Sequence, residues 1–545
     1  MMYPAITTNE SLPPLIRALL VDPACYDHPV KETELVETHI SWVVLTGDYA
    51  YKIKKPVNLG FLDFSTLQLR QQDCIDELRL NRRLAADIYL GVVAINGTPN
   101  APQVGGKGEI LEYAVKMRQF PVDATLDHFS TRGELSEQHI DTLAACLVHF
   151  HLFECEQAKA DSLWGEPETI ARPVEENFQI LAQDEFAQGT LLTELQSWCQ
   201  TEHARLAPLM KDRKNLGRVR ECHGDLHLAN MAWVGGQLVI FDCLEFNPAL
   251  RWIDVISEVA FCYMDLLHRQ HDALASRFLN AWLEVTGDYQ GIALLRYYAV
   301  YRALVRAKVA SLRAGQVTEP AIQIARAEMT SCLQLAQRLA CIPSPLSLSR
   351  NNLGHSPLVV LGMPLHSATG AFAPSLRGNT LAALRRPLSL YITHGLSGSG
   401  KTTLSQKLLQ SQGLIRLRSD VERKRLAGLD ALAKSRDGLY TRHFSRRTYE
   451  HLACLAETVL TSGWSVIVDA AFLERDQRDL FRDQAKRLGV RFQILDIQVD
   501  AGILRERVKR RQALGNDASE ADLAVLEHQL ANAHPLGADE PAIRC

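Results

Sequence analysis

The chain has 545 residues, 47% of them apolar and 22% charged, with a net charge of −4. That is ordinary soluble composition with material for several cores, and it excludes the global basic field that draws a protein to nucleic acid or an anionic membrane. Twelve cysteines fall without C-x-x-C pairs or His/Cys ligand spacing. This argues against structural zinc and a disulfide framework, and for reduced thiols in a cytoplasm. The N-terminus lacks a signal-peptide pattern, and no apolar run approaches the ~20 residues of a membrane span.

After a short helix over 15–20, HISWVVL and YAYKIK, joined by Thr46-Gly47-Asp48, predict a hairpin. Ala50-x-Lys52 ends the second strand as a phosphate-clamping lysine does, and such a lysine needs a carboxylate to hold it. Lys54 lies on the same face by period 2, and the role is assigned to Lys52. Ser65 is the expected N-cap of a helix to about Ala86, with an apolar face of Leu67, Cys74, Ile75, Leu78 and Leu84 and with Glu77 as the partner of the strand lysine. No G-x-G-x-x-G precedes Lys52, and Gly105-Gly106-Lys107-Gly108 reads as a hairpin turn. ILEYAVKMRQFP (110–121) is the expected strand between two lobes, placing Met117 near an adenine-contacting hinge. Residues 135–215 are helical by periodicity.

Glu221 to Asp242, ECHGDLHLANMAWVGGQLVIFD, sets Asp225 and Asn230 at D-x-x-x-x-N. Two short strands around Gly235-Gly236 then deliver Asp242, and a hairpin of that kind brings its ends back together. Phosphoryl transfer requires one carboxylate for the acceptor hydroxyl, and an amide and a second carboxylate for Mg²⁺ against the nucleotide phosphates. Asp225 is the candidate base, and Asn230 and Asp242 are the candidate metal ligands. His223 is placed at the substrate. Glu245, Asp254 and Glu258 are too few for a polycationic acceptor and read as helix caps. Four further helices are expected, over 254–268, 273–285, 291–314 and 319–340.

HGDLHLAN with IFD resembles the aminoglycoside/choline phosphotransferase branch of the kinase-like fold, over about residues 30–340. YKIKKPV, GFLDFS and ELRLNRRL resemble a bacterial subgroup of that branch. The resemblance implies Mg-ATP-dependent phosphorylation of a small-molecule hydroxyl, with Asp225 as base, Asn230 and Asp242 on Mg²⁺, and Lys52 with Glu77 as the phosphate-clamping pair.

Residues 343–385, rich in Pro, Ser, Gly and Asn, read as a linker between a domain at 1–342 and another at 386–545. LSLYITHGLSGSGKTTLSQKLL then supplies strand, P-loop and helix. Gly395, Ser397, Gly398, Ser399, Gly400 and Thr403 belong to the phosphate cradle. Lys401 reaches the β/γ-phosphates and Thr402 binds Mg²⁺. Asp420-x-x-Arg423 opens the next helix, where a carboxylate orients an acceptor and the arginine grips substrate. Asp469 ends a buried strand at the Mg²⁺-orienting position. Arg507, Arg510 and Arg511 lie on a helix leading into a loop, and Arg507 and Arg511 are candidate charge stabilisers. D-x-x-R and N-D-A-S-x-A make this half similar to small P-loop kinases, among them gluconate kinases, polynucleotide 5′-kinases and zeta-type toxins.

The expected fold class is an α+β protein-kinase-like two-lobed domain followed by an α/β P-loop domain with a mainly parallel sheet. The expected function is bifunctional ATP- and Mg²⁺-dependent phosphotransfer to small-molecule hydroxyls, since basic–aromatic patches for polynucleotides are absent. The alternatives are a regulatory nucleotide-binding half and a 5′-hydroxyl nucleic-acid kinase in the P-loop half.

Overall fold

The computed structural model describes residues 12–58, 62–340, 387–431, 433, 439, 441–514 and 519–545. The expected linker at 343–385 and residues 516–518 of the N-D-A-S stretch lie outside the described residues. Contacts divide the chain into two units, Met1–Trp282 with Leu294–Gln337 and Leu283–Ala293 with Arg338–Cys545.

The first unit opens on a six-stranded antiparallel sheet of β1 (Glu34–Glu37), β2 (Ser41–Leu45), β3 (Tyr49–Lys54), β4 (Tyr89–Thr98), β5 (Ala101–Val104) and β6 (Ile110–Arg118), in the order β1-β2-β3-β6-β4-β5. The expected β2–β3 hairpin is there, with Gly47 at φ 94° in its turn. Period-2 alternation sorts β3 between two faces. Tyr51 and Ile53 join Ile16 and Leu19 of the helix Pro14–Val21 in one core, while Lys52 and Lys54 point to the other face. The glycine-rich segment 105–108 is not a hairpin turn, because β4 pairs with both β5 and β6 and the segment carries the chain past β4.

The helix after β3 runs Leu67–Ala85 and is capped by Thr66, which accepts the Leu69 N–H, not by Ser65. Its buried face is Arg70, Asp73, Cys74, Glu77, Leu80, Asn81 and Ala85, while Ile75 is exposed. Apolar periodicity therefore misplaced the face: this helix turns polar groups inward because β3 presents two lysines to it.

The rest of the unit is mainly helical. Between the helix Thr190–Asn215 and the helix Val255–His268 lie β7 (Val219–Glu221) and the expected hairpin β8 (Met231–Val234) and β9 (Gln237–Ile240). The helix Val255–His268 is buried at every position from Val255 to Leu266, which makes it the spine against which the hairpin's loops are fixed.

The second unit is a parallel sheet of β10 (Ser389–His394), β11 (Ile415–Arg418), β12 (Val466–Asp469), β13 (Arg491–Asp496) and β14 (Ala542–Arg544), in the order β11-β12-β10-β13-β14. The strand Val466–Asp469 is a continuous buried apolar run, as a parallel strand covered on both faces requires, while the edge strand Ala542–Arg544 is exposed. The helices Lys401–Gln412, Arg442–Thr461 and Arg475–Leu488 connect them. Among the described residues, no helix is long and apolar enough to cross a membrane.

Candidate active sites

The hairpin closes the first site. Phe241 N–H donates to Asn230 O at 3.0 Å, so the residues before and after β8–β9 meet. Asn230 Nδ2 donates to Asp225 Oδ2 at 2.9 Å and to its carbonyl at 3.0 Å. With its nitrogen committed, Asn230 has its carbonyl oxygen left to face a cation. His227 Nε2 lies 3.3 Å from the same Asp225 Oδ2, which leaves Oδ1 for an acceptor. Burial would raise the Asp225 carboxyl, but His227 and Arg306 outweigh it and hold it well below the usual carboxylate range.

His223 is not at the substrate. It is fully buried, Asp225 N–H donates to its Nδ1, and its Nε2 donates to Phe241 O at 2.9 Å. It pins the Gly224-Asp225 loop to the end of β9, and burial lowers its pKa so that it stays neutral.

Glu258 was not a cap either. Its Oε1 accepts the backbone N–H groups of His223 and Gly224, at 2.6 and 2.8 Å, and its Oε2 faces His151 Nε2 at 2.8 Å. Asp265 accepts Leu228 N–H, and Arg302 donates to Gly224 O. Asp254 does cap its helix, and it also takes a bidentate pair from buried Arg213. Gly224 stands at φ 89°, and a Cβ there would meet Leu250 O at 2.8 Å. The G-D turn therefore has room for glycine alone.

Lys52 Nζ pairs with Glu77 Oε1 at 2.8 Å and Asp242 Oδ1 at 2.7 Å. Lys54 Nζ pairs with Asp73, Glu77 Oε2 and Glu245. Burial opposes ionisation of Glu77, but the two ammonium groups bring its pKa down to about 2. Asp242 has φ 64° and donates its N–H to Tyr89 Oη. Asn81 takes the next N–H, that of Cys243, so Asp73, Glu77 and Asn81 form one stripe of the helix against this segment. Two lysines face four carboxylates here; burial pushes Glu245 up to about 7 and raises Asp73, which leaves Glu77 and Asp242 as the pair nearest Lys52. Met117 is half-buried on β6, opposite Ala50 and on the Lys52 face, packed beside Val115 and Phe241.

The second site is a cleft of about 1910 Å³ at the carboxyl ends of the parallel strands, where ligands enter open α/β sheets. Ser397 to Thr403, Asp420, Arg423, Asp469, Arg507 and Arg511 all line it; Gly395 lies beneath, where a Cβ would meet Ile497 O at 2.8 Å. Lys401 Nζ folds onto Gly395 O and Leu396 O at 3.0 and 2.8 Å. Burial lowers its pKa, while Asp469 and Asp420 work against that. Ser405 donates to Asp469 Oδ2 at 3.1 Å, which orients that carboxylate beside Thr402 and fits it for a cation. Arg507 and Arg511, one turn apart, donate to Gly398 O and Ala521 O. Arg510 is not among the lining residues. Arg423 is held by Leu439 O and the Ser445 hydroxyl. Sequence reasoning missed Arg442, His443 and Arg446, which line the cleft from the first turns of the helix Arg442–Thr461; the R-H-F-S-R-R run was their signal.

A kinase-like unit and a P-loop unit, each with a nucleotide-type site, define an ATP-dependent phosphotransferase. Residues 72–295 match the model of the phosphotransferase enzyme family, and residues 390–536 match that of an AAA domain. The chain thus joins an aminoglycoside phosphotransferase-like domain to a P-loop kinase-like domain. Uncharacterized proteins of Mycobacterium tuberculosis (strain ATCC 25618 / H37Rv) and Mycobacterium bovis (strain ATCC BAA-935 / AF2122/97) are each 28% identical over 513 residues, covering 92% of both chains. Among solved structures, a choline/ethanolamine kinase family protein from Mesorhizobium loti is 11% identical with a TM-score of 0.36, covering 58% of this chain and 91% of its own. A gluconokinase from Sinorhizobium meliloti 1021 is 21% identical with a TM-score of 0.22, covering 29% and 83%.

Proposed function

We propose that the protein is a bifunctional cytoplasmic phosphotransferase, each unit moving the γ-phosphoryl of Mg-ATP to a hydroxyl of a small molecule. The observation that carries this reading is that each site keeps an acceptor carboxylate, Asp225 or Asp420, beside groups suited to phosphate and metal. In the first site Asp225, ionised at neutral pH, accepts the hydrogen bond of the attacking hydroxyl and takes its proton as the new O–P bond forms, while the bond from the γ-phosphorus to the β,γ-bridging oxygen breaks and ADP leaves. Glu77 aims Lys52 at the α/β-phosphates, and Met117 lies where an adenine would meet β6. Asn230 and Asp242 would hold Mg²⁺, which shields phosphate charge when bound. In the second site Gly395 to Thr403 cradle phosphates, Thr402 and Asp469 would hold the metal, and Asp420 faces the acceptor. Arg423, Arg507 and Arg511 supply positive charge.

The test uses γ-labelled ATP with a dephosphorylated metabolite extract and compares the wild type with Asp225→Ala and Lys401→Ala. Different labelled products should vanish in the two variants, by roughly 10³-fold or more. If no product forms and only Lys401→Ala stops ATP hydrolysis, the first site is not a kinase and a regulatory nucleotide-binding role replaces it. Label on a 5′-hydroxyl oligonucleotide, lost with Asp420→Ala, would make the second site a nucleic-acid kinase.

A further inference from the structure

The cluster between β3, the helix Leu67–Ala85 and residues 242–245 has one cation more than nucleotide binding requires. Lys52, Glu77 and Asp242 account for a phosphate clamp and a metal ligand. Lys54 is left over, and it is fully buried. Its Nζ meets Asp73 Oδ2 at 2.8 Å, Glu77 Oε2 at 2.6 Å and Glu245 Oε1. Glu77 therefore divides its oxygens between two lysines. Glu245 lies three residues beyond Asp242, on the chain that leaves the metal ligand.

Lys54 is thus a tie between the helix that carries Glu77 and the segment that carries Asp242. The other tie is the Lys52–Asp242 pair. Phosphates compete for Lys52 and a cation competes for Asp242, so that tie is available only to the empty site, whereas Lys54 has no exposed surface from which to leave its partners. Stability does not explain the arrangement, since a buried ion cluster is often no more stable than apolar groups of the same volume.

Resting on the kinase reading of the first site, we propose that Lys54 is a positioning residue: by gripping Glu77 Oε2 and Glu245 it aims Glu77 Oε1 at Lys52 and fixes Asp242, and so sets the metal-dependent part of nucleotide affinity. Lys54 touches neither phosphate nor metal. Groups that orient metal ligands in this way change metal affinity by about 10–100-fold when removed.

The test measures nucleotide binding by the full-length Lys401→Ala protein, in which only the first site should bind, with and without Mg²⁺. Lys54→Met with Glu245→Gln removes the cation and one of its carboxylates together, so that Glu245 is not left as a buried carboxylate without its lysine. The expected result is a folded protein with a lowered melting temperature, whose metal-free ADP affinity falls less than the gain in affinity on adding Mg²⁺, which is cut about 10-fold or more. Glu245→Gln alone should keep most of that gain. An undiminished gain in the double variant overturns the inference and leaves the kinase reading standing. If the double variant does not fold, Lys54→Arg, which keeps the charge but moves it, must reduce the gain, and an undiminished gain there overturns the inference equally. A Lys401→Ala parent that binds no nucleotide overturns the kinase reading and this inference together.

Discussion

The Glu258 carboxylate accepts two backbone N–H groups of the catalytic loop and faces His151, all in a buried setting. Glu258→Ala leaves both amides unmatched, at about 1–3 kcal/mol each. Urea unfolding should therefore show the first unit destabilised by roughly 2–5 kcal/mol; a loss below about 1 kcal/mol would mean that Asp265 and Arg302 suffice to hold the loop. Asp225, Asn230 and Asp242 were legible in the sequence because a tight loop and a hairpin join them, and hairpin geometry is local. Glu258 and Arg302 were not, because their partners are backbone groups 35 and 78 residues away, and a backbone group carries no residue signature. His223 was misread for a related reason: adjacency to the candidate base Asp225 suggests a substrate, while its ring partners are a carbonyl and an N–H.

At the level of elements, the helix Leu67–Ala85 and β7 are joined by charge. Glu221 at the end of β7 accepts Arg79, Arg83 and Arg251 and is almost fully buried. Burial opposes its ionisation, but the three guanidinium groups bring its pKa down to about 2. A carboxyl held below its ordinary value stabilises the fold at pH above that ordinary value of 4.5, and the contribution drains away as the pH falls from there towards 2. Glu221→Gln should thus cost roughly 2–3 kcal/mol at pH 7, with the gap to the wild type closing as unfolding is followed down to about pH 2. A gap independent of pH would show that the arginines act on Glu221 only by packing. The helix itself was legible as a helix but not in its orientation, because a stripe of Asp73, Glu77 and Asn81 facing lysines inverts the usual apolar rule. The P-loop unit was easier to read, because its loop is a contiguous motif and its central strand Val466–Asp469 is an apolar run.

For the molecule as a whole, the proposed function implies two nucleotides bound per chain. Calorimetric titration with a non-hydrolysable Mg-ATP analogue should give a stoichiometry of two, falling to one in Lys401→Ala and to one in Lys52→Ala. A stoichiometry of one in the wild type would sink the bifunctional reading. Both fold classes could be read from the chain because each rests on short-range order, strand then loop then helix. The path of β5 into β6 across β4 could not, since antiparallel strands of similar composition do not encode which neighbour they pair with.

Asp242 sits at φ 64°, a backbone conformation that costs a residue with a β-carbon about 1–2 kcal/mol relative to glycine. Asp242→Gly should accordingly unfold at higher denaturant than Asp242→Ala, by an amount worth about 1 kcal/mol, though neither retains the metal ligand. Among replacements of Asp242, glycine is the one that relieves this backbone strain, although every one of them gives up the Lys52–Asp242 pair.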